Sequence, residues 1–406
     1  MQAQVPINQE NKGALSGIKV IDLSRVLAGP LCTQILSDQG AFVIKVEPPI
    51  GDETRHLGPP FDPKSGLASY FSALNRGKSS IGLDLNKAEG IDILHRLLSD
   101  ADILVENFLP QTMERWGIGY EQTLAKLYPK LIYCSISGFG ETGPLGGLPG
   151  YDAVLQALCG IMSVNGDPTS GSTKVGIPIV DQMTGYAALS GILMALFDRT
   201  KTGLGQRVEA TLYDTAINLL IPQASNWMAS GQSPKLIGSS HSNIAPYDKY
   251  QVKNGEVFIA IVNDHQFKKF CRYIKKEEWI SDINFSTNSV RNKNKQLLKD
   301  EIEKALYEFD IEHICQELMR IGVPAASIQS IPQALSHPHT QHRKLMIDQD
   351  GYKGIRSPVI LSKTNFKMYQ VPPIFAEHRV QILKNLGFSE EDIQRLENEG
   401  ICPTKI

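Results

Sequence analysis

The 406-residue chain lacks an excess of either charge: 41 Lys and Arg stand against 43 Asp and Glu, a net charge of -2. That balance leaves no basic footprint for a nucleic-acid backbone and no polybasic membrane anchor. A long hydrophobic run is also missing. The longest nearly apolar stretch, 186–197, is interrupted by Ser190 and Gly191 and falls far short of a bilayer span. The first sixteen residues are polar, with one lysine, no arginine and no apolar core. Neither a secretory signal nor a mitochondrial presequence is expected, and the expected location is cytoplasmic. Paired cysteines are absent too. The six cysteines, at 32, 134, 159, 271, 315 and 402, form no CxxC, which argues against a disulfide framework or structural zinc. His337, His339 and His342 are close in sequence but sit in a proline-containing stretch, with no carboxylate or cysteine at helical spacing, and read as loop.

What remains is an ordinary globular composition, 42% hydrophobic and 21% charged. At about 150 residues per domain the length allows two or three domains. Short β-rich runs at 18–23, 41–46, 80–85, 102–106 and 131–136 alternate with helical patterns at 31–39, 89–99 and 120–127. Strand, helix, strand within about 30 residues predicts a parallel sheet, so the first 140 residues read as a doubly wound α/β unit. A helix is expected at 151–162 and a short extended piece at 176–180. Asp181 then opens a long helix towards Arg199, followed by a strand at 207–211 and a helix at 213–229. Gly, Ser, His and Asn enrich 231–246, read as a linker. The expected layout is a large domain over 1–230, the linker, a smaller α+β domain over 247–333, a return linker over 334–354, and a large-domain segment over 355–406 ending in a helix at 383–396.

One glycine motif invites a nucleotide-binding reading and does not sustain it. Gly138-Phe139-Gly140-Glu141-Thr142-Gly143 fits G-x-G-x-x-G and follows a strand. The third glycine must open a helix whose N–H groups meet a pyrophosphate. Here Pro144, Leu145, Gly146, Gly147, Leu148, Pro149 and Gly150 follow, which cannot build that helix.

A different series is more specific because it is ordered along nearly the whole chain. It runs Asp22-Leu23-Ser24-Arg25-Val26-Leu27-Ala28-Gly29-Pro30, Val43-Ile44-Lys45-Val46-Glu47-Pro48-Pro49, then Val105-Glu106-Asn107-Phe108 with Arg115. Ser137-Gly138-Phe139-Gly140, Gly150-Tyr151-Asp152, Thr202-Gly203-x-Gly205-Gln206 and, more loosely, Glu377-His378 complete it. The series resembles the class III CoA-transferases, the formyl-CoA transferase and crotonobetainyl-CoA:carnitine CoA-transferase family. The resemblance implies a Rossmann-like large domain, a smaller domain and an interlocked homodimer, with acyl-CoA and a carboxylic acid as substrates and no cofactor beyond that CoA thioester.

The family's catalytic carboxylate matches Asp181, in Ile179-Val180-Asp181-Gln182. From pattern alone an aspartate opening a helix also serves as an N-cap. At a reference pKa of about 3.9 it would be ionised without a general base. The resemblance implies attack on the thioester to give an aspartyl mixed anhydride, then an aspartyl-CoA thioester. It further implies that Val26, Leu27, Ala28, Leu83, Asp84, Asn86, Asn107, Phe108, Arg115, Ser137, Gly138 and Phe139 face CoA, all after strand carboxyl ends. Arg115 is the expected phosphate contact. Leu27 stands where the formyl-CoA branch has glutamine, Pro48 replaces a basic residue, and 238–246 has no glycine run. These departures argue against formate and oxalate and suggest a less polar acyl pocket, such as one for succinate or a branched acid. The alternative is α-methylacyl-CoA racemase, which needs a base and an acid on opposite faces. Racemases carry histidine where this chain has Tyr151, a poor proton carrier at neutral pH.

Overall fold

The computed structural model describes residues 13–364 and 370–406. Most of the polar N-terminal segment read for targeting signals lies outside the described residues. Six strands form the central sheet: β1 (Lys19–Asp22), β2 (Phe42–Glu47), β3 (Lys78–Gly82), β4 (Ile103–Glu106), β5 (Ile132–Ser137) and β6 (Arg207–Thr211). They lie in the order β3-β2-β1-β4-β5-β6 and every pairing is parallel. Chain direction across the sheet reverses between β1 and β4, the switch point where open α/β sheets leave a crevice beyond the strand ends.

β1, β2, β4 and β5 are short, mostly apolar and almost wholly buried, as parallel strands covered by helices must be; β3 is buried but polar, and β6, at the edge, is partly exposed. Period-two alternation sorts their side chains. Val20, Val43, Ile103 and Val105 join one cluster with α1 (Ala28–Asp38) and α5 (Ile179–Thr202). Ile21, Ile44, Ile81 and Leu104 join the opposite cluster, with Ile93, Leu94 and Leu97 from α3 (Ala88–Leu98) and with the C-terminal helices Arg379–Asn385 and Glu390–Asn398. Each such side chain contributes about 1.5–3 kcal/mol on full burial, so the two faces rather than any polar contact hold the sheet. The remaining elements used below are α2 (Ser69–Leu74), α4 (Asp152–Leu158) and α6 (Leu212–Asn218).

The chain divides into two compact units. The first comprises the described residues up to Ile161 with Val175–Ile221 and Gln341–Ile406, and holds the parallel sheet. The second comprises Met162–Lys174 and Pro222–Thr340. Its antiparallel sheet of Ala325–Ser327, Gly255–Ala260 and Tyr247–Val252 carries its own core, including Phe267, Phe270, Ile302 and Leu318. The division falls at 222 rather than within 231–246, and the short hairpin near Gly166 joins the second unit.

Several elements differ from their expected bounds. The helix expected at 213–229 is two, α6 and Gln223–Ser230, because Pro222 lacks the N–H that an uninterrupted helix needs there. The terminal helix is also two, separated around Gly387, whose φ of 88° is a left-handed turn no helix interior accommodates. The histidine triplet lies on and beside two short helices, Ile331–Ser336 and Pro338–His342, rather than in a loop. α5 spans 24 residues, long and apolar enough by length and composition alone to cross a membrane. One of its faces, Val180, Thr184, Ala188, Ile192 and Ala195, is buried, as in the core helix of a sheet protein.

Candidate active site

Asp181 is the third residue of α5, not its cap: the helix starts at Ile179, with Pro178 in the cap position. The first N–H groups of a helix need acceptors from elsewhere. Asp152, the first residue of α4, supplies one. Its Oδ2 accepts the N–H of Val180 at 2.7 Å and that of Asp181 at 3.2 Å, while its Oδ1 accepts from Gln156 Nε2 at 2.6 Å. Gln156 is fully buried, one turn along the same helix face, and its Oε1 accepts the Val175 N–H at 2.8 Å. A capping carboxylate from another helix therefore does what the sequence pattern assigned to Asp181. Among the described residues the Asp181 carboxylate has no hydrogen-bond partner of its own.

That freedom has an electrostatic cost. Burial, and after it the negative charge of Asp152, push the Asp181 carboxyl up to about 7. The plain ionised aspartate expected from the sequence is thus corrected: near neutrality the free protein holds a mixture of both forms. Tyr70, on α2, faces the same pair. Its hydroxyl is pushed up to about 12, first by burial and then by the charges of Asp181, Asp152 and Asp52.

The loop after β1 reaches this point through close helix packing. A Cβ on Gly185 would stand 2.7 Å from the Ala28 carbonyl oxygen, so α1 and α5 meet backbone to backbone there. Asp181 lies one turn before Gly185 on the same helix face. The 26–28 turn that leads into α1, expected to face CoA, therefore runs close to the start of α5. Leu27 and Ala28 are buried, and Val26 has a φ of 69°, a left-handed conformation that costs a β-branched residue about 1–3 kcal/mol.

Four other expected residues gather beyond the strand ends. Leu83, Asp84, Asn86 and Phe108 line a cavity of about 270 Å³, together with Arg25 and Trp116. Trp116 Nε1 donates to Asn86 Oδ1 at 3.2 Å, and its ring meets Phe108 edge-on. Arg25 lies over the Phe108 ring with its guanidinium carbon 5.5 Å from the centroid, and among the described residues its buried Nε has no hydrogen-bond partner. Beneath Phe108, Glu106 accepts the Phe108 N–H and the Tyr133 hydroxyl, and burial pushes its carboxyl up to about 7.

The remaining expected residues do not line that cavity, although Arg115 and Asn107 bond to residues that do. Arg115 is exposed and its Nη2 donates to Thr112 Oγ1 at 2.9 Å. Asn107 spends its amide on one residue, accepting the Arg25 N–H at 2.8 Å and donating to the Arg25 carbonyl at 2.7 Å. Ser137 Oγ accepts the Gly140 N–H, and Phe139 packs beside Tyr213. A Cβ on Gly138 would lie 2.8 Å from the Gly150 nitrogen, which ties this strand end to the segment leading into Asp152. No helix follows the glycine motif: 140, 143 and 147 all adopt positive φ and the next helix is α4. Among the described residues no group of three or more His, Cys, Asp or Glu side chains is placed to hold a metal ion.

Sequence reasoning missed Arg25, Tyr70, Asp152 and Gln156 as site residues. Arg25 and Asp152 lay inside quoted motifs, and Gln156 follows Asp152 by one helical turn. Tyr70 carried no local signal, since only the fold brings α2 to α5.

Comparison with known proteins places the chain in a family. A family model described as CoA-transferase family III matches residues 15–379. The chain is 38% identical over 385 residues to a succinate–glutarate CoA-transferase of Agrobacterium fabrum, covering 92% of this chain and 96% of that one. It is 39% identical over 353 residues to an acetyl-CoA:oxalate CoA-transferase of Acetobacter aceti, covering 86% and 90%. Among solved structures, a CAIB/BAIF family protein from Brucella suis superposes with a TM-score of 0.84 at 40% identity, covering 92% of this chain and all of that one. The family match takes in the whole parallel sheet, the switch-point crevice and the helix bearing Asp181, and this chain is a member of CoA-transferase family III, an enzyme that transfers CoA.

Proposed function

We propose that Asp181 is the nucleophile that moves CoA from an acyl-CoA thioester to a free dicarboxylate. The observation that carries this reading is the division of labour at the start of α5. Asp152 takes the helix amides, leaving both Asp181 oxygens free for a substrate carbonyl. In the proposed sequence an Asp181 oxygen attacks the thioester carbon, the C–S bond breaks, and CoA leaves as thiolate. The thiolate then attacks the Asp181 carbonyl of the mixed anhydride and displaces the donor acid, giving an aspartyl-CoA thioester. The acceptor carboxylate attacks that thioester, releasing thiolate and forming a second anhydride. The thiolate attacks its acyl carbon, and new acyl-CoA leaves with Asp181 restored. Each tetrahedral intermediate carries an oxyanion, and the N-terminal amides of α1, unpaired within their own helix, point to where such donors would come from.

For the CoA end, the reading assigns the cavity at Phe108 and Trp116 to the nucleotide, with Arg25 meeting a phosphate. Val26, Leu27, Ala28, Leu83, Asp84, Asn86, Asn107, Arg115, Ser137, Gly138 and Phe139 remain the proposed surrounding contacts. The donor and acceptor are proposed as dicarboxylates such as succinate and glutarate, in keeping with the first relative. Because another relative bears oxalate in its name, the loss of the formyl-CoA branch's glutamine at Leu27 does not by itself exclude oxalate. Incubation with succinyl-CoA and a mixture of glutarate, oxalate and formate tests the proposal. New thioesters should appear and vanish in Asp181→Asn. Solvent deuterium entering a 2-methylacyl-CoA without any transfer would contradict it.

A further inference from the structure

The loop that approaches Asp181 is gripped from inside the protein by charges that the reaction itself does not use. Lys45 and Lys78 sit on β2 and β3 with fully buried side chains. Lys45 Nζ donates to the Ser24 carbonyl at 2.8 Å and to Asp52 Oδ2 at 2.9 Å. Lys78 Nζ donates to the Pro30 carbonyl at 3.0 Å, to Asp22 Oδ2 at 2.9 Å and to Asn75 Oδ1 at 2.8 Å. The two ammonium groups thus hold the first and last residues of the 24–30 segment. Asp22 adds the Ser24 N–H at 2.9 Å, and Asn107 holds both backbone groups of Arg25. Between these tethers Val26 keeps its left-handed φ of 69°, and Gly29 comes so near Ser24 that a Cβ would lie 2.3 Å from its side chain.

A free loop would relax a valine out of that conformation, so the strain persists only because its surroundings over-determine it. Two buried ion pairs are a poor way to gain stability, since desolvation of the charges offsets most of their attraction. What they do supply is fixed, directional donors at two carbonyls that a hydrocarbon side chain could not hold.

We propose that Lys45 and Lys78 are positioning residues: they preform the 24–30 loop, strained at Val26, before any ligand binds. The inference rests on the proposed role of Asp181 only for its effect on rate, and its structural half stands apart from it. Hydrogen exchange with fragmentation that resolves the Ser24 and Arg25 amides reads the loop directly in the ligand-free wild-type protein. Both amides should already be protected by about 100-fold or more against an unstructured chain, the mark of a formed segment. Protection that appears only on adding acyl-CoA would overturn the proposal without any variant. The second arm uses Lys45→Met/Asp52→Asn, which removes one ion pair without leaving a lone buried charge. In this variant the two amides should lose about 10-fold or more of their protection while β4 and β5 keep theirs. Transfer kcat should fall about 10- to 100-fold, as for a reacting group misplaced by about 1 Å, with KM for acyl-CoA changing much less. A folded variant with unchanged loop exchange, or with unchanged kcat, would contradict it. Should wild-type protein transfer no CoA at all, the proposed function fails, and the exchange experiment still decides whether the loop is preformed and whether Lys45 sets it.

Discussion

A carboxylate that is to attack a thioester has to keep its lone pairs out of the helix that carries it. At the start of α5 this is achieved by borrowing the cap from α4, and the borrowed charge leaves its mark on titration. With the Asp181 carboxyl raised to about 7, kcat/KM for acyl-CoA should rise about 10-fold per pH unit below that point and level off above it. Asp152→Asn removes the negative neighbour while leaving an amide oxygen to accept the same N–H groups. The inflection in the pH–rate profile should therefore move down; an unmoved or raised inflection would show that Asp152 does not set it. Stability carries the opposite signature. The folded protein retains the Asp181 proton up to about pH 7, whereas the unfolded chain releases it near 3.8. Native stability contributed at this site therefore falls as pH rises from about 4 to 7 and stays low above. Asp181→Asn should be more stable than wild type by about 1–3 kcal/mol at pH 8 and no more stable below pH 4, as denaturant melts at the two pH values would show. The position of Asp181 was legible from its motif. Its free carboxylate was not, because an N-cap aspartate and an uncapped one read alike until the partner helix is in place.

At the scale of elements, the meeting of α1 with α5 brings the 24–30 loop close to the start of the helix that carries Asp181. Gly185→Ala tests that junction. On intrinsic propensity alone the change should favour α5 by about 1 kcal/mol. The added Cβ would stand 2.7 Å from a backbone oxygen of Ala28, which cannot rotate away, and overpacking of this kind costs about 1–3 kcal/mol. Packing should win: a lower melting temperature is expected, with kcat reduced as the start of α1 shifts from Asp181. A variant with wild-type kcat and higher stability would show that the helices do not need this close approach. Strand placement was readable along the sheet because parallel strands buried on both faces leave compact apolar runs, as in β1, β2, β4 and β5. Helix ends were less readable. The breaks at Pro222 and Gly387 are plain local signals outweighed by apolar periodicity on either side, and β3 starts on Lys78, whose buried charge hides it from a hydrophobic pattern.

For the whole molecule, α5 and its neighbouring helices carry a group of exposed apolar side chains. Met194 is 70% exposed and Phe197 64% exposed, while Val154 and Leu158 on α4 and Ile217 on α6 are exposed apolar side chains on helices packed with α5. Isolated apolar residues on a surface need no explanation, but a group of this size signals a covered face. The resemblance drawn from the sequence implies a homodimer, and we propose that a second copy covers these side chains. Sedimentation should then give a dimer mass, and Met194→Glu with Phe197→Glu should shift it towards monomer and lower activity. A wild-type protein that sediments as a monomer at micromolar concentration would contradict this. Composition, charge and periodicity carry no trace of such an interface, since the same helix reads as an ordinary core helix until its outer face is seen uncovered.

The most direct test follows Asp181, the proposed nucleophile. Trypsin should release Asp181 in the peptide 175–199, because Lys174 and Arg199 bracket it. After brief reaction with succinyl-CoA and acid quench, mass spectrometry should find this peptide carrying CoA as a thioester on Asp181, with the adduct lost on adding glutarate and absent from Asp181→Asn. Transfer that proceeds with this peptide unmodified, or with CoA on another residue, would contradict the assignment of Asp181 as the attacking carboxylate.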